Sequence, residues 1–354
     1  GHAGLLLVSG RSAEALAEQA AAWAGWLREH PEVAWVDVLH TAAHRRTHFE
    51  HRAVVDVVDV RAAEAALAGL AAGGDASTLV RGVARGEARV GLLFTGQGSQ
   101  RAGMGAGLYG RDAVFTAAFD AVCAALDRHL DRPLAPLVLG RCADPEAIDR
   151  TALTQPALFA LEVALFRRWQ AWGLVPAALI GHSLGELTAA FVAGVMTLED
   201  AARVVAARGR LMQAMPAGGA SAAIEGSEDE VRAVLAAGAE IAGIAGRRQT
   251  VISGDAAAVE ATMAVMAASG RRVRRLAVSH AFHSHHMDGM LAEYGAVLAG
   301  VTLRPPTLPI FSTVTGRRVA PTEMLAADYW VRQAREALRD GAAVAAAAAD
   351  GVDV

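Results

Sequence analysis

Ser183 has the neighbours of a nucleophile. It lies in Gly181-His182-Ser183-Leu184-Gly185, a G-x-S-x-G run preceded by the strand-like Ala177 to Ile180 and followed by a helical stretch through Ala193. A serine in such a strand-turn-helix elbow presents its hydroxyl at a helix N-terminus, where the dipole and free N–H groups stabilise negative charge. The bare pattern also arises by chance as a glycine-lined turn, and the flanking strand and helix select the nucleophile reading. A second glycine-rich turn, Gly96-Gln97-Gly98-Ser99, ends the apolar run Val90 to Phe94. His280, His283, His285 and His286 crowd one segment and His182 sits in the elbow. No acidic residue stands at ligand spacing among them, which favours a solvated loop over a metal centre.

Composition removes several other chemistries. The chain has 354 residues, 53% hydrophobic and 20% charged, with a formal net charge of −4. It therefore carries neither a disordered composition nor a basic field for nucleic acid. None of its 33 basic residues is lysine. Walker-type phosphate loops and Schiff-base chemistry each need one. Two cysteines, Cys123 and Cys142, make no disulfide framework and no zinc pattern. No apolar run reaches the ~18 residues of a membrane span and no signal peptide is evident, so a soluble cytoplasmic protein is expected, without nucleic-acid or membrane partners. Gly1-His2 reads as a tag remnant and Gly351 to Val354 as an apolar strand-like stop, together suggesting a piece of a longer polypeptide.

Three units are needed to position these residues. Residues 1–88 form a small α/β adaptor: strand Leu5 to Val8, helix Ala13 to Arg28 with Leu16, Trp23 and Trp26 on its apolar face, an irregular stretch from His40 to His51, strand Val54 to Val58 and helix Ala62 to Ala71, closed by Gly73-Gly74-Asp75. Residues 89–217 and 281–354 alternate strands and long helices in the α/β manner. Within them Thr154 caps a helix whose first turn holds Pro156. Residues 218–280 read β-α-β-β-α-β, a ferredoxin-like inserted subdomain.

Gly181 to Glu186, preceded by Phe94-Thr95-Gly96-Gln97-Gly98-Ser99-Gln100 and Thr154-Gln155-Pro156-Ala157, resembles the malonyl-CoA:acyl carrier protein transacylases, and most closely the acyltransferase domains of type I polyketide synthases. Arg208 to Met212, Gly218-Gly219-Ala220, Ser279 to Ser284 and Tyr329-Trp330-Val331 extend the resemblance from Arg89 to about Arg339. The N-terminal unit is similar to the linker between ketosynthase and acyltransferase in those synthases. The implied fold is an α/β-hydrolase-like large subdomain with a parallel sheet, bearing the ferredoxin-like insertion.

The resemblance implies Ser183 as nucleophile and His283, 100 positions downstream, as its general base. It places the backbone N–H groups of Gln97 and Leu184 in an oxyanion hole, Arg208 on the free carboxylate of a malonyl-type substrate and Gln155 at the substrate. A backbone carbonyl near Thr313 is expected to orient His283. His280-Ala281-Phe282-His283 accompanies malonyl selectivity in the family, with Phe282 filling the space of an α-methyl and Leu184 apolar where methylmalonyl enzymes tend to have Gln. The implied substrate is malonyl-CoA and the acceptor is the phosphopantetheine of an acyl carrier protein. A neighbouring ketosynthase is a further partner, and no metal or other bound cofactor is involved. Two departures stand out: Ser312-Thr313 where Ser-Asn is usual, and Ala245-Gly246-Arg247 where Asn-Gly-Pro is common. The run Arg271-Arg272-Val273-Arg274-Arg275 suits either CoA phosphates and an acidic carrier protein or a solvated edge strand. A serine hydrolase shares the elbow but needs a carboxylate behind its histidine and has no use for Arg208. An inert docking module is the non-enzymatic alternative.

Overall fold

A computed structural model describes residues 4–353 apart from Arg85 and Glu87. Gly1-His2, read above as a tag remnant, and Val354 lie outside the described residues. The chain divides into two compact units, residues 1–88 and 89–354.

The first unit runs β1 (Gly4–Gly10), α1 (Ala13–Glu29), α2 (Trp35–His44), β2 (His51–Val57), α3 (Val60–Ala71) and β3 (Leu79–Val83), with an antiparallel sheet in the order β1-β2-β3. Ser12 and Asp59 cap α1 and α3 by accepting from Ala15 N–H and Ala62 N–H. Leu6, Val8, Leu16, Leu27, Val55 and Leu67 form its core. Three expectations change here. The histidine-rich stretch is helical through His44, because Val38 and Ala42 give it a buried face. A third strand follows the expected closure at Gly73 to Asp75, pairing with β2. Trp26 is exposed and Trp23 only partly buried, since α1 turns its small residues Ala20 and Ala24 into the core instead.

In the second unit, β4 (Gly91–Phe94), α4 (Ala113–Leu126), α5 (Leu134–Val138), α6 (Thr151–Ala171), β5 (Ala178–Gly181), α7 (Leu184–Val192) and α8 (Leu198–Gln213) precede the insertion. The insertion is β6 (Gly219–Ile224), α9 (Glu228–Arg232), β7 (Ala239–Gly246), β8 (Gln249–Asp255), α10 (Ala256–Ala268) and β9 (Val273–Arg275). Then come α11 (Leu291–Ala299), β10 (Ile310–Ser312), β11 (Arg317–Arg318), α12 (Ala327–Arg335) and α13 (Asp340–Ala349). The large sheet has the order β11-β10-β5-β4; β4, β5 and β10 are mutually parallel and β11 is antiparallel. The insertion is a separate antiparallel sheet, β7-β8-β6-β9, the strand order of a ferredoxin-like fold.

Register fixes where chemistry can happen. Phe94 stands opposite Gly181 across the parallel pair, so the loop after β4 and the turn after β5 leave the sheet side by side. Ligands in open α/β sheets bind beyond the carboxyl ends of the strands. Helix α6 begins at Thr151, three residues before the expected cap at Thr154, whose hydroxyl donates instead to the carbonyls of Ile148 and Arg150. Pro156 is thus inside the helix, where it removes one i to i−4 hydrogen bond. Among the described residues, no helix is long and apolar enough to cross a membrane.

Candidate active site

The turn after β5 is built by exclusion. A Cβ at Gly181 would lie 2.1 Å from the Glu186 nitrogen and one at Gly185 would lie 2.4 Å from the Phe94 carbonyl oxygen. Only glycine lets α7 start this close to the sheet. The residue between is strained: Ser183 has φ 52° and ψ −108°. Among the described residues, the one other non-glycine residue with positive φ is His283, at 56°. The two strained residues meet, with Ser183 Oγ 2.9 Å from His283 Nε2. Strain of this kind costs about 1–3 kcal/mol per residue and persists where the surrounding structure over-determines it.

Packing around the imidazole fixes its tautomer. His283 Nδ1–H donates to the Glu336 carbonyl at 2.9 Å, which leaves Nε2 to accept from the Ser183 hydroxyl. This corrects the expectation for Thr313: the orienting carbonyl belongs to Glu336, just past the end of α12. Thr313 is committed elsewhere, its hydroxyl donating to the Gly181 carbonyl and Glu186 Oε2 behind the elbow. Tyr329 OH reaches the same Glu186 carboxyl and Ser312 Oγ.

Burial pushes the His283 pKa down to about 3, and the Arg208 guanidinium adds to the fall. A lowered pKa keeps a base deprotonated at lower pH. The acid limb of kcat/KM for serine acylation is therefore expected well below pH 6.5. Between pH 7.5 and 5.5 a histidine at its ordinary 6.5 loses about tenfold of its neutral form, whereas this one is expected to lose almost none. Stopped-flow acylation across that range distinguishes the two.

Arg208, on α8, is fully buried and aims into the same place. Its Nη2 donates to Ser183 Oγ at 3.0 Å and its Nη1 to Gln155 Oε1 at 2.9 Å. Gln155 in turn contacts Met212 Sδ through Nε2. Gln155 therefore holds the guanidinium from within α6. These two acceptors, and Gln333 Oε1 at 3.4 Å, are neutral oxygens. Gln333 also donates from Nε2 to the Ser183 carbonyl, tying α12 to the elbow.

A cleft of about 170 Å³ joins these groups, lined by Gln97, Gln155, Ser183, Leu184, Arg208 and His283 among others. The Leu184 N–H heads α7 and has no intrahelical acceptor. Gln97 follows β4, and its side chain donates to Thr151 Oγ1 at 3.1 Å. The buried Glu162 carboxyl accepts from Thr95 N–H at 2.7 Å and from the Thr188 hydroxyl at 2.7 Å, clamping the Gln97 loop to α7. Burial raises the Glu162 pKa to about 7. Phe282 lines the cleft and lies 5.9 Å, centroid to centroid, from the His280 ring. His280 is turned away, with Nδ1 at 2.9 Å from Ser279 Oγ and Nε2 at 3.1 Å from the Met215 carbonyl.

Sequence reasoning missed Glu336, Gln333 and Glu162. Glu336 acts through its backbone, which side-chain chemistry cannot reveal. Gln333 and Glu162 left a signal: each is a polar residue on the buried side of its helix. The arginine run is largely neutralised, with Arg271 against Glu230, Arg272 against Glu225 and Arg275 against Glu260. Such exposed pairs are worth little stability, but they favour the solvated-edge reading of β9.

Residues 92–354 match the acyl transferase domain family, and residues 4–67 match a family described as CurL-like, PKS C-terminal. The sequence is 46% identical over 359 residues to polyketide synthase GfsA of Streptomyces halstedii, covering 98% of this chain and 5% of that protein. The chain thus spans about a twentieth of that relative's length. The solved acyltransferase domain from the second module of the salinomycin polyketide synthase is 43% identical with a TM-score of 0.78, covering 98% of this chain and 80% of that one. A chain from a structure of a type II PKS acyl-carrier protein in complex with its malonyl-transacylase is 33% identical with a TM-score of 0.67, covering 75% of this chain and 87% of that one.

Proposed function

The chain belongs to the acyl transferase domain family, represented among its relatives by type I polyketide synthases, and from that premise we propose that it moves a malonyl group from CoA to an acyl carrier protein. The observation that carries the reading is the double engagement of Ser183 Oγ, by His283 Nε2 at 2.9 Å and by the buried Arg208 at 3.0 Å. A nucleophile–base pair alone suits any acyl transfer. A buried guanidinium hydrogen-bonded to neutral oxygens selects an acyl group that brings its own carboxylate.

The reaction runs in two halves. His283 takes the Ser183 proton as Oγ attacks the thioester carbonyl, and the developing oxyanion is held by the N–H groups of Gln97 and Leu184. The tetrahedral intermediate collapses, CoA leaves with the proton from His283, and malonyl-Ser183 remains with its carboxylate on Arg208. The phosphopantetheine thiol of the carrier protein then attacks, with His283 as base again. A carbonyl behind the imidazole, where hydrolases of this elbow type place a carboxylate, gives less support to a lasting imidazolium. That suits a thioester, whose thiolate is a good leaving group.

The small cleft admits a short acyl group, and Phe282 and Leu184 occupy its wall. One methyl is worth about 1–3 kcal/mol of such contacts. Phe282→Ser is therefore expected to raise kcat/KM for methylmalonyl-CoA relative to malonyl-CoA by about ten- to a hundredfold. Competition between the two donors for transfer to a holo carrier protein, read by mass spectrometry, checks this and the function together. Wild-type preference for the methylated donor contradicts the Phe282 assignment; absence of any transfer contradicts the function.

A further inference from the structure

Folding supplies the acidic partner that sequence spacing does not show among the histidines. Asp255, at the end of β8, places Oδ1 at 2.8 Å from His286 Nε2 and at 3.3 Å from His285 Nε2. One donor atom from each of the three residues lies within 4.8 Å of the others. A tetrahedral zinc ion with bonds of about 2.1 Å spaces its ligands by about 3.4 Å, so only small side-chain shifts separate this arrangement from a ligand set. Two imidazoles and a carboxylate are borderline-soft donors suited to zinc.

The surroundings favour a cation between them. Glu240 Oε1 lies 3.0 Å from His285 Nδ1 and also accepts the His285 backbone N–H. A neutral His285 that donates from Nδ1 to Glu240 keeps its lone pair on Nε2, facing the Asp255 carboxylate. Lone pair and carboxylate repel unless a proton or a metal ion lies between. A carboxylate behind a histidine is also the usual outer partner of a metal-bound imidazole. Glu240 is itself held by both terminal nitrogens of Arg335, at 2.7 and 3.1 Å, and Arg335 also pairs with Asp288. Glu240 and Asp288 thus share one guanidinium, and with Asp255 beside them the carboxylates outnumber it, leaving the neighbourhood negative. The side chains of Asp255 and His285 are 57% and 39% exposed, so an ion can reach them.

We propose that Asp255, His285 and His286 form a zinc-binding site, apart from the acyl-transfer cleft, that ties the inserted subdomain to the segment carrying His283. Asp255 comes from the insertion and the two histidines follow His283 by two and three positions. The ion takes no part in acyl transfer; it bridges two parts of the same unit.

The test uses the full chain, stripped of metal by a chelator and titrated with zinc chloride alone by calorimetry, with thermal melts in parallel. His40 and His44 on α2, whose rings are 4.8 Å apart, are the competing chelating pair and are removed together in a control variant. The expected result is one equivalent bound by wild-type and by His40→Ala/His44→Ala, with a raised Tm. Binding is expected to weaken at least tenfold in His286→Ala and in Asp255→Asn. Asp255 makes no side-chain cap to α10, so the asparagine variant keeps the fold, which the metal-free melt verifies. Zinc uptake that survives in both site variants, disappears in the His40/His44 variant, or fails to saturate in wild-type at molar excess overturns the proposal.

Discussion

His283→Ala is expected to lower the rate of Ser183 acylation by about four orders of magnitude, with only a modest fall in Tm. The imidazole is the acceptor for the Ser183 hydroxyl at 2.9 Å, and its other nitrogen is spent on the Glu336 carbonyl. Without it, Ser183 Oγ retains, among the described residues, only Arg208 as a hydrogen-bond partner, and a guanidinium cannot accept a proton. The loss of stability is expected to be modest, because the strain at φ 56° stays in place with alanine and what is removed is two side-chain hydrogen bonds, each worth about 1 kcal/mol. Single-turnover acylation kinetics and a thermal melt on the same preparation separate loss of chemistry from loss of fold. A variant within tenfold of wild-type would remove His283 from the reaction.

Arg208→Ala is expected to discriminate between substrates where His283→Ala does not. Loss of a charge-assisted pair to the malonyl carboxylate costs about 3–4 kcal/mol, or roughly two to three orders of magnitude in kcat/KM for malonyl-CoA. Acetyl-CoA, lacking the carboxylate, is expected to lose little or to gain. The guanidinium in the free enzyme already contacts Ser183 Oγ, so the incoming carboxylate exchanges with a neutral acceptor and draws the cation off the nucleophile. The same exchange lessens the positive field that depresses the His283 pKa, making the base stronger once substrate is bound. Equal losses for malonyl-CoA and acetyl-CoA would reduce Arg208 to a structural residue of α8.

Local patterns made much of this site legible. Gly181 and Gly185 announce a turn that admits no side chain, and the apolar runs on either side of it announce the strand and helix. The βαββαβ order of the insertion is likewise readable from alternation and helical spacing, because each element has a buried face of its own. What was hidden depends on tertiary placement. The Glu336 carbonyl is a main-chain group, identical in sequence terms to any other. The strain at His283 has no glycine to mark it. Helix α2 was obscured by histidines at positions that face outward, while its short apolar face, Val38 and Ala42, is too small to read with certainty by periodicity. Trp26 misled for the opposite reason: a large apolar side chain suggests a core, yet the buried face of α1 is Leu16, Ala20, Ala24 and Leu27, and the indole lies off it. Asp255 lies thirty positions before His285, too far for any ligand motif to capture.

Acyl transfer by this mechanism requires that Ser183 carry the acyl group. Intact-protein mass spectrometry after brief incubation with malonyl-CoA, followed by peptide mapping, tests it most directly. One malonyl adduct is expected on the wild-type chain, located at Ser183, absent from Ser183→Ala and discharged by a holo acyl carrier protein. A malonyl adduct on Ser183→Ala, or one on wild-type mapped to another residue, would contradict it.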